Sequence, residues 1–387
     1  MIGNPFRYGD VATGNYFTNR VRELAEVQDD IRNGQNIVII SPRRYGKTSL
    51  MVEAITRLRR EHVLVAYLDL FRAPTKDRFA DLLATAIYDG LVNPVERAWQ
   101  NAVGLFQKLP IQPKVTIGAD GSPSFEFSAG QRSRDLDQTI EKLLALPSDI
   151  AVDRHRRVAL VLDEFQQVLE IDEHLPGLMR AVFQVQGDVA HVFLGSKRHL
   201  MHDVFTARNQ PLYKMAKPVV LRPIAPADFA TFIHARCTET GQGIADDAVT
   251  RILAITEGHP HDTQELCYFA WALAQGERIA VLTAPDIERA LSHVLDAEDA
   301  HYTTLWEDLA AHQRLVLVAL TGDTEPVYSE DYRRLHRLGA ASSVQKSIAR
   351  LLDREVIEAA PGGGYRIGDV FLRAWIRRLT DEESVPI

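Results

Sequence analysis

The chain has 387 residues, 46% apolar and 25% charged, and 44 Lys and Arg against 52 Asp and Glu give a formal charge of −8. That composition excludes wholesale disorder, collagen-like repeats and coiled-coil rods, and at about 150 residues per domain the length suits two or three domains. The acidic balance disfavours a surface built for bulk binding of phosphate backbones, and no run nears the roughly 18 apolar residues of a membrane span, so no membrane partner is expected.

The opening stretch, 1–10, has neither a basic nor an apolar region of the kind a signal peptide needs. Val21, Leu24, Val27 and Ile31 fall at helical spacing, and Asn33-Gly34 supplies a stop. The run Asn36-Ile37-Val38-Ile39-Ile40 has the β-branched richness of a strand buried on both faces. A loop rich in Pro, Arg and Gly follows, then a helical stretch over 47–60 and a second strand over 63–70. Strand, loop, helix and strand make one βαβ unit, the building block of a parallel sheet.

Residues 73–110 read as helical. Lys114-Val115-Thr116-Ile117, Asp120-Gly121 and Phe125-Glu126-Phe127 then read as a hairpin with an Asp-Gly turn, which interrupts the βα rhythm as an insertion over 110–130. The sheet resumes at 158–162, 189–194 and 218–221. Beyond Pro226 the pattern turns helical over 227–237, 246–256 and 262–274. Helix-like stretches at 305–320, 330–338 and 342–352 precede Val356-Ile357-Glu358, a Pro361-Gly362-Gly363-Gly364 tip and Tyr365-Arg366-Ile367, the pattern of a winged helix-turn-helix. Cys237 and Cys267 give neither a disulfide framework nor a CxxC zinc pattern and read as buried packing residues of a cytoplasmic protein.

Two motifs carry chemistry. Residues 41–48 read Ser-Pro-Arg-Arg-Tyr-Gly-Lys-Thr, which fits G-x-x-x-x-G-K-[ST] except for Ser41 at the first position. Between a buried strand and a helix, backbone N–H groups of such a loop cradle phosphates. Gly46 leaves room for close approach, Lys47 supplies a point charge and Thr48 offers its hydroxyl to Mg2+. The second motif is Val158-Ala159-Leu160-Val161-Leu162-Asp163-Glu164, five apolar residues ending in adjacent carboxylates. A strand buried on both faces delivers that pair to its C-terminal edge, where open α/β sheets bind ligands. Asp163 suits Mg2+ held through its water shell, and Glu164 suits a general base that polarises water. Without ligands, the two motifs would be a basic turn and a solvated helix start.

With both motifs in place the chain resembles the P-loop ATPases with an additional strand and a catalytic Glu, close to AAA+ proteins, and more narrowly the STAND signalling ATPases of the archaeal-type ATPase family. Asn4-Pro5-Phe6 and Phe17-Thr18-Asn19-Arg20-Val21-Arg22-Glu23-Leu24 resemble that family's F-x-x-R-x-x-E-L box near the adenine and the loop. Pro42-Arg43-Arg44-Tyr45-Gly46-Lys47-Thr48-Ser49-Leu50 is similar to its phosphate loop (Walker A), and Leu162-Asp163-Glu164-Phe165-Gln166 to its acidic motif (Walker B). Phe193-Leu194-Gly195-Ser196-Lys197-Arg198 resembles the sensor strand, with Ser196 facing the γ-phosphate and Arg198 the first candidate among Arg43, Arg44, Lys197 and itself for a phosphate-facing cation. Gly258-His259-Pro260 is similar to the G-x-P corner of the lid helices, and residues 365–376 resemble the end of the family's winged helix.

The resemblance implies a parallel-sheet core with the acidic strand two places from the phosphate-loop strand, a small all-α lid and a C-terminal winged helix, over 1–225, 226–297 and 298–387. It implies ATP, ADP and Mg2+ as ligands. Lys47, Glu164, Ser196 and Arg198 are the expected catalytic residues, and Thr48 and Asp163 the metal-holding ones. Arg20, Pro42, Arg43, Arg44, Tyr45, Gly46, Lys47, Thr48, Ser49 and Pro260 are the expected nucleotide contacts. The expected function is an ATP-hydrolysing switch with a protein partner or self-association. Two alternatives are a DNA-binding ATPase similar to replication initiators or transposition helpers, acting through 342–352 and Arg366, and a scaffold that holds nucleotide without hydrolysing it. His259 and His261 flank Pro260 with no third ligand evident in the sequence, so a metal pair is not expected there.

Overall fold

A computed structural model describes residues 3–17, 20–92, 104–107, 109–118, 123–127, 133–322, 327–360 and 363–383; within these, the side chains of 133, 134, 198, 199 and 381–383 are left out. The chain divides into two compact units, Val11–Arg222 and Met1–Asp10 with Pro223–Ile387.

The first unit is built on strands β1 (Ile37–Ile40), β2 (Leu64–Asp69), β5 (Val158–Asp163), β6 (Val189–Gly195) and β7 (Lys217–Val220), all parallel, in the order β2-β5-β6-β1-β7. The largely apolar strands β5, β6 and β1 take the inner places, and every residue of β5 and β6, His191 included, is buried. Side chains alternate between two cores. Val158, Leu160 and Leu162 face one, covered by the helices Lys76–Leu91 and Ser133–Arg154. Ala159 and Val161 face the other with Ile37 and Ile39, covered by Val21–Arg32 and Lys47–Arg60. The strand of the acidic pair lies two places from the phosphate-loop strand, with β6 between them, as the resemblance implied.

The predicted hairpin forms from β3 (Lys114–Ile117) and β4 (Pro123–Glu126), antiparallel with Val115 opposite Phe125. Phe125 is buried against Tyr88 and Phe106, which ties the insertion to the core. Asp120-Gly121 lies outside the described residues. The helix expected over 73–110 spans Lys76–Leu91, and 93–103 also lies outside them.

The second unit gathers the helices Pro226–Glu239, Asp246–Thr256, Pro260–Glu277, Ala284–Glu307, Ala311–Leu320, Glu330–Leu335, Ala341–Asp353 and Val370–Glu383. A two-residue parallel pair, β8 (Gly243–Ile244) with β9 (Val281–Leu282), and the wing, β10 (Ile357–Ala359) with β11 (Tyr365–Ile367), complete it. Two observations bear on the expected domain bounds. The boundary at 297 falls inside the helix Ala284–Glu307, which is continuous because its far end serves the winged helix. There Tyr302 donates to Asp369 at 3.2 Å, and Trp375 donates to Asp299 at 2.8 Å. Residues 3–10 pack with this unit instead of the sheet: Asn4 donates to the Tyr268 carbonyl at 3.0 Å, and Phe6 is buried in the helical core.

His191 sits fully buried on β6, stacked on Phe183 at 3.9 Å, with Nδ1 3.0 Å from Asn36 Oδ1 and Nε2 2.9 Å from Gln186 Oε1. Burial pushes its pKa down to about 3, so the folded state excludes a proton that the unfolded chain takes up near pH 6.5. Stability from this site is therefore present above pH 6.5 and is lost as pH falls toward 3, by up to about 1.4 kcal/mol per pH unit. Denaturant titrations should show that His191→Gln flattens the pH slope between 6 and 4.

Candidate nucleotide site

The phosphate loop leaves β1 at Ser41, which is fully buried and takes no positive φ, so the position that the motif reserves for Gly tolerates a side chain. Positive φ falls on Arg44 (64°) and on Gly46 (82°), which caps the helix Lys47–Arg60. Lys47 is buried, and its Nζ donates to the carbonyls of Ser41 (2.8 Å) and Pro42 (3.0 Å), folding the ammonium back across the loop. Arg43 and Arg44 are exposed. Tyr45 is buried, and its carbonyl accepts a 2.9 Å bond from Arg20. Arg20, itself 3% exposed, also donates to Glu23 and to the carbonyl of Arg222. Among these contacts Arg20 acts as a brace behind the loop. Ser49 is likewise engaged, accepting from the Ala12 amide at 3.0 Å.

The loop and the acidic strand end meet. Thr48 Oγ1 donates to Asp163 Oδ2 at 3.1 Å, although 115 positions separate them in sequence. Asp163 is 4% exposed, and burial pushes its carboxyl above the ordinary range against the pull of its hydrogen bonds. Tyr67 on β2 donates to the same Oδ2 at 2.5 Å. Glu164 follows with φ of +49°, a left-handed turn that swings its side chain away from the strand direction, and its amide donates to Asp163 Oδ1 at 2.8 Å. Ser196, at the tip of β6, donates to Glu164 Oε2 at 2.9 Å, and Gln166 donates to that same oxygen.

Residues 17–266 match the family described as an ATPase domain predominantly from Archaea, and residues 300–378 match a probable winged helix domain. The chain belongs to this ATPase family. Its fold is similar to the Walker-type ATPase of Pyrococcus abyssi, at TM-score 0.66 and 14% identity over 96% of this chain and 99% of that one. The ORC2 protein of Aeropyrum pernix, solved as ADPNP–ADP complexes, matches at TM-score 0.55 and 14% identity over 98% and 99%. The ORC1 protein of the same organism, solved in complex with DNA, matches at 0.51 and 14% over 94% of each chain. No curated protein matches the sequence.

As an archaeal-type ATPase domain, the chain brings Lys47, Thr48, Asp163, Glu164 and Ser196 into one contiguous set. Arg198 opens the helix Arg198–Thr206, but its side chain lies outside the described ones. Pro260 stands at the first position of the helix Pro260–Glu277, in the second unit. Two residues of the set went unassigned in the sequence. Tyr67 is signalled only as a hydroxyl in an otherwise apolar strand, two positions before Asp69, which pairs with Asp163 in the register. Gln166 was within the acidic motif but without a role. Its Oε1 is buried and has no hydrogen-bond partner among the described residues.

That leftover acceptor, the buried ammonium and the hydroxyl–carboxylate pair form a donor set that suits a polyphosphate, a hydrated divalent cation and a water. The raised Asp163 pKa means that ionising this group costs the folded state: its stability contribution is present at low pH and lost as pH rises through the folded pKa. Without divalent ions at pH 7.5, Asp163→Asn should raise Tm by a few degrees in scanning calorimetry. Tyr67→Phe, which keeps the ring and removes a donor to the charged form, should not.

Proposed function

We propose that this chain is an ATP-binding and ATP-hydrolysing molecular switch of the STAND type, in which nucleotide state controls the lid and winged-helix unit. The observation that carries this reading is the 3.1 Å bond joining Thr48 to Asp163, beside a Glu164 carboxylate held by Ser196. Lys47, released from the loop carbonyls, would neutralise charge on the β- and γ-phosphates, while Gly46 and the following amides cradle them. Thr48 and Asp163 are the residues that would hold Mg2+, which supplies charge neutralisation to the phosphates.

Glu164 then acts as general base, its Oε2 taking the proton of an attacking water. Ser196 and Gln166 orient that carboxylate, and a change of partner by Ser196 on γ-phosphate binding would free Oε2 for the water. Arg198 is the proposed phosphate-facing cation, Pro260 the proposed nucleotide contact of the lid, and a protein partner or second copy the receiver of the signal. Differential contacts in the ATP and ADP states are the driving force that any such switch requires.

In a phosphate-release assay, Glu164→Gln should retain ATP binding and slow hydrolysis at least about 100-fold, and Lys47→Ala should lose ATP affinity. Unchanged turnover in both variants would contradict the reading; ATP binding without hydrolysis in the native chain would favour the nucleotide-holding scaffold. Hydrogen exchange should differ in 226–387 between ADP and a non-hydrolysable ATP analogue.

A DNA-binding role is the second reading, and one observation favours it. The helix Ala341–Asp353 keeps Gln345, Lys346 and Arg350 exposed, with no carboxylate partner for either cation among the described residues. Arg366, expected to join them, is instead engaged by Glu358 and Glu257 at 2.5 and 2.9 Å, so the wing offers less charge than its sequence promised. On this reading, duplex binding is salt-sensitive and is lost in Lys346→Glu/Arg350→Glu.

A further inference from the structure

The corner at Gly258-His259-Pro260 gathers side chains that the nucleotide reading does not use. Gly258 has φ of +72°, and a Cβ there would sit 2.5 Å from the Ile224 carbonyl, so the chain turns tightly before the helix Pro260–Glu277. His259 caps that helix: its Nδ1 accepts the Asp262 amide at 3.4 Å, which requires that nitrogen to carry a lone pair. The same nitrogen lies 3.2 Å from Asp262 Oδ1. His261 Nδ1 is 3.2 Å from that oxygen and 3.5 Å from Glu265 Oε2.

The ligand atoms of His261, Asp262 and Glu265 all lie within 4.8 Å of one another, and the two acids are only 2% and 3% exposed. Residues i and i+4 of a helix share a face, which is why His261 and Glu265 reach a common point. Ligands about 2.0–2.2 Å from a first-row ion stand roughly 3–3.5 Å apart, so the 3.2 and 3.5 Å spacings from His261 match edges of a coordination polyhedron, and a small closure of Asp262 toward Glu265 on binding would complete it.

The surroundings are rich in negative charge. The Tyr302 phenol is pushed up by burial and by Asp369, Glu298, Glu265 and Asp262, and the Tyr8 phenol by burial, Glu265, Tyr268 and Glu298. Buried carboxylates at this density call for a proton or a metal ion among them.

We propose that His261 Nδ1, Asp262 Oδ1 and Glu265 Oε2 form a three-ligand binding site for one divalent first-row transition ion, whose remaining positions are left to water, while the His259 Nδ1 lone pair stays engaged as the helix cap. The imidazole favours Zn2+ over Mg2+, which prefers oxygen ligands and keeps its waters. The site is separate in residues and chemistry from Thr48 and Asp163. It would fix the first turn of the helix on which Tyr8 packs, its ring 5.9 Å from that of His261.

The test is calorimetric titration of the EDTA-stripped full chain with ZnCl2 at pH 7.5, with Tm measured in parallel. The expected result is one Zn2+ per chain at micromolar affinity or tighter, a raised Tm, and at least about tenfold weaker binding in Glu265→Gln and His261→Ala. Glu265→Gln keeps the side-chain volume, and far-UV circular dichroism checks that both variants fold. Lys47→Ala should bind Zn2+ as the native chain does, so this result stands apart from failure of the nucleotide reading. No Zn2+ binding, or binding equal in the native chain and both variants, would overturn the proposal. So would a Tm insensitive to Zn2+ that rises below pH 6.5 only where His261 is present, which would assign the cluster to an imidazolium.

Discussion

A single carboxylate oxygen, Asp163 Oδ2, accepts hydrogen bonds from hydroxyls on two other elements, Thr48 at the start of a helix and Tyr67 on the neighbouring strand. This junction registers the phosphate loop against the acidic strand end. Its cost is local, since burial disfavours the charge that the group must carry to hold a cation. In this chain a divalent ion beside Asp163 would make favourable a charge that burial alone disfavours. Stability given up for the sake of a site is a common trade in proteins.

Strand order explains the rest of the constellation. Because β6 lies between β1 and β5, its tip falls between the loop and the acidic pair, and Ser196 is delivered there by backbone pairing alone. The left-handed turn at Glu164 then directs its carboxylate toward Ser196 and Gln166 instead of along β5. In this arrangement the Glu164 carboxylate is already held by two neighbouring donors, Ser196 and Gln166. Positive φ in a Glu is sparse and strained, and it stands here at the residue proposed as the general base.

Much of this was legible because burial on both faces writes itself as unbroken apolar runs: 37–40 and 158–162 mark β1 and β5, and the polar residues at their ends mark the site. Tyr67 was not legible, because its hydroxyl reaches Asp163 diagonally across a register that pairs it with Val161. The helix Ser133–Arg154 carries Pro147 in its interior, a residue that reads as a breaker, yet Ile140, Leu143 and Leu144 pack it onto the sheet. The packing of residues 3–10 among distant helices rests on contacts such as Asn4 to Tyr268, which local patterning does not encode. The acid that completes the proposed metal site beside His261 was not legible around Pro260, because Glu265 lies one helical turn on and only the helix brings the two together.

The most direct test of the central claim is a double-mutant cycle on Mg-ATP affinity, measured by titration calorimetry with Thr48→Ala, Asp163→Ala and the double variant. If one site is assembled from the loop and the acidic strand, the effects are non-additive and the second substitution costs little beyond the first. Strictly additive effects, or single variants that bind Mg-ATP like the native chain, would contradict it.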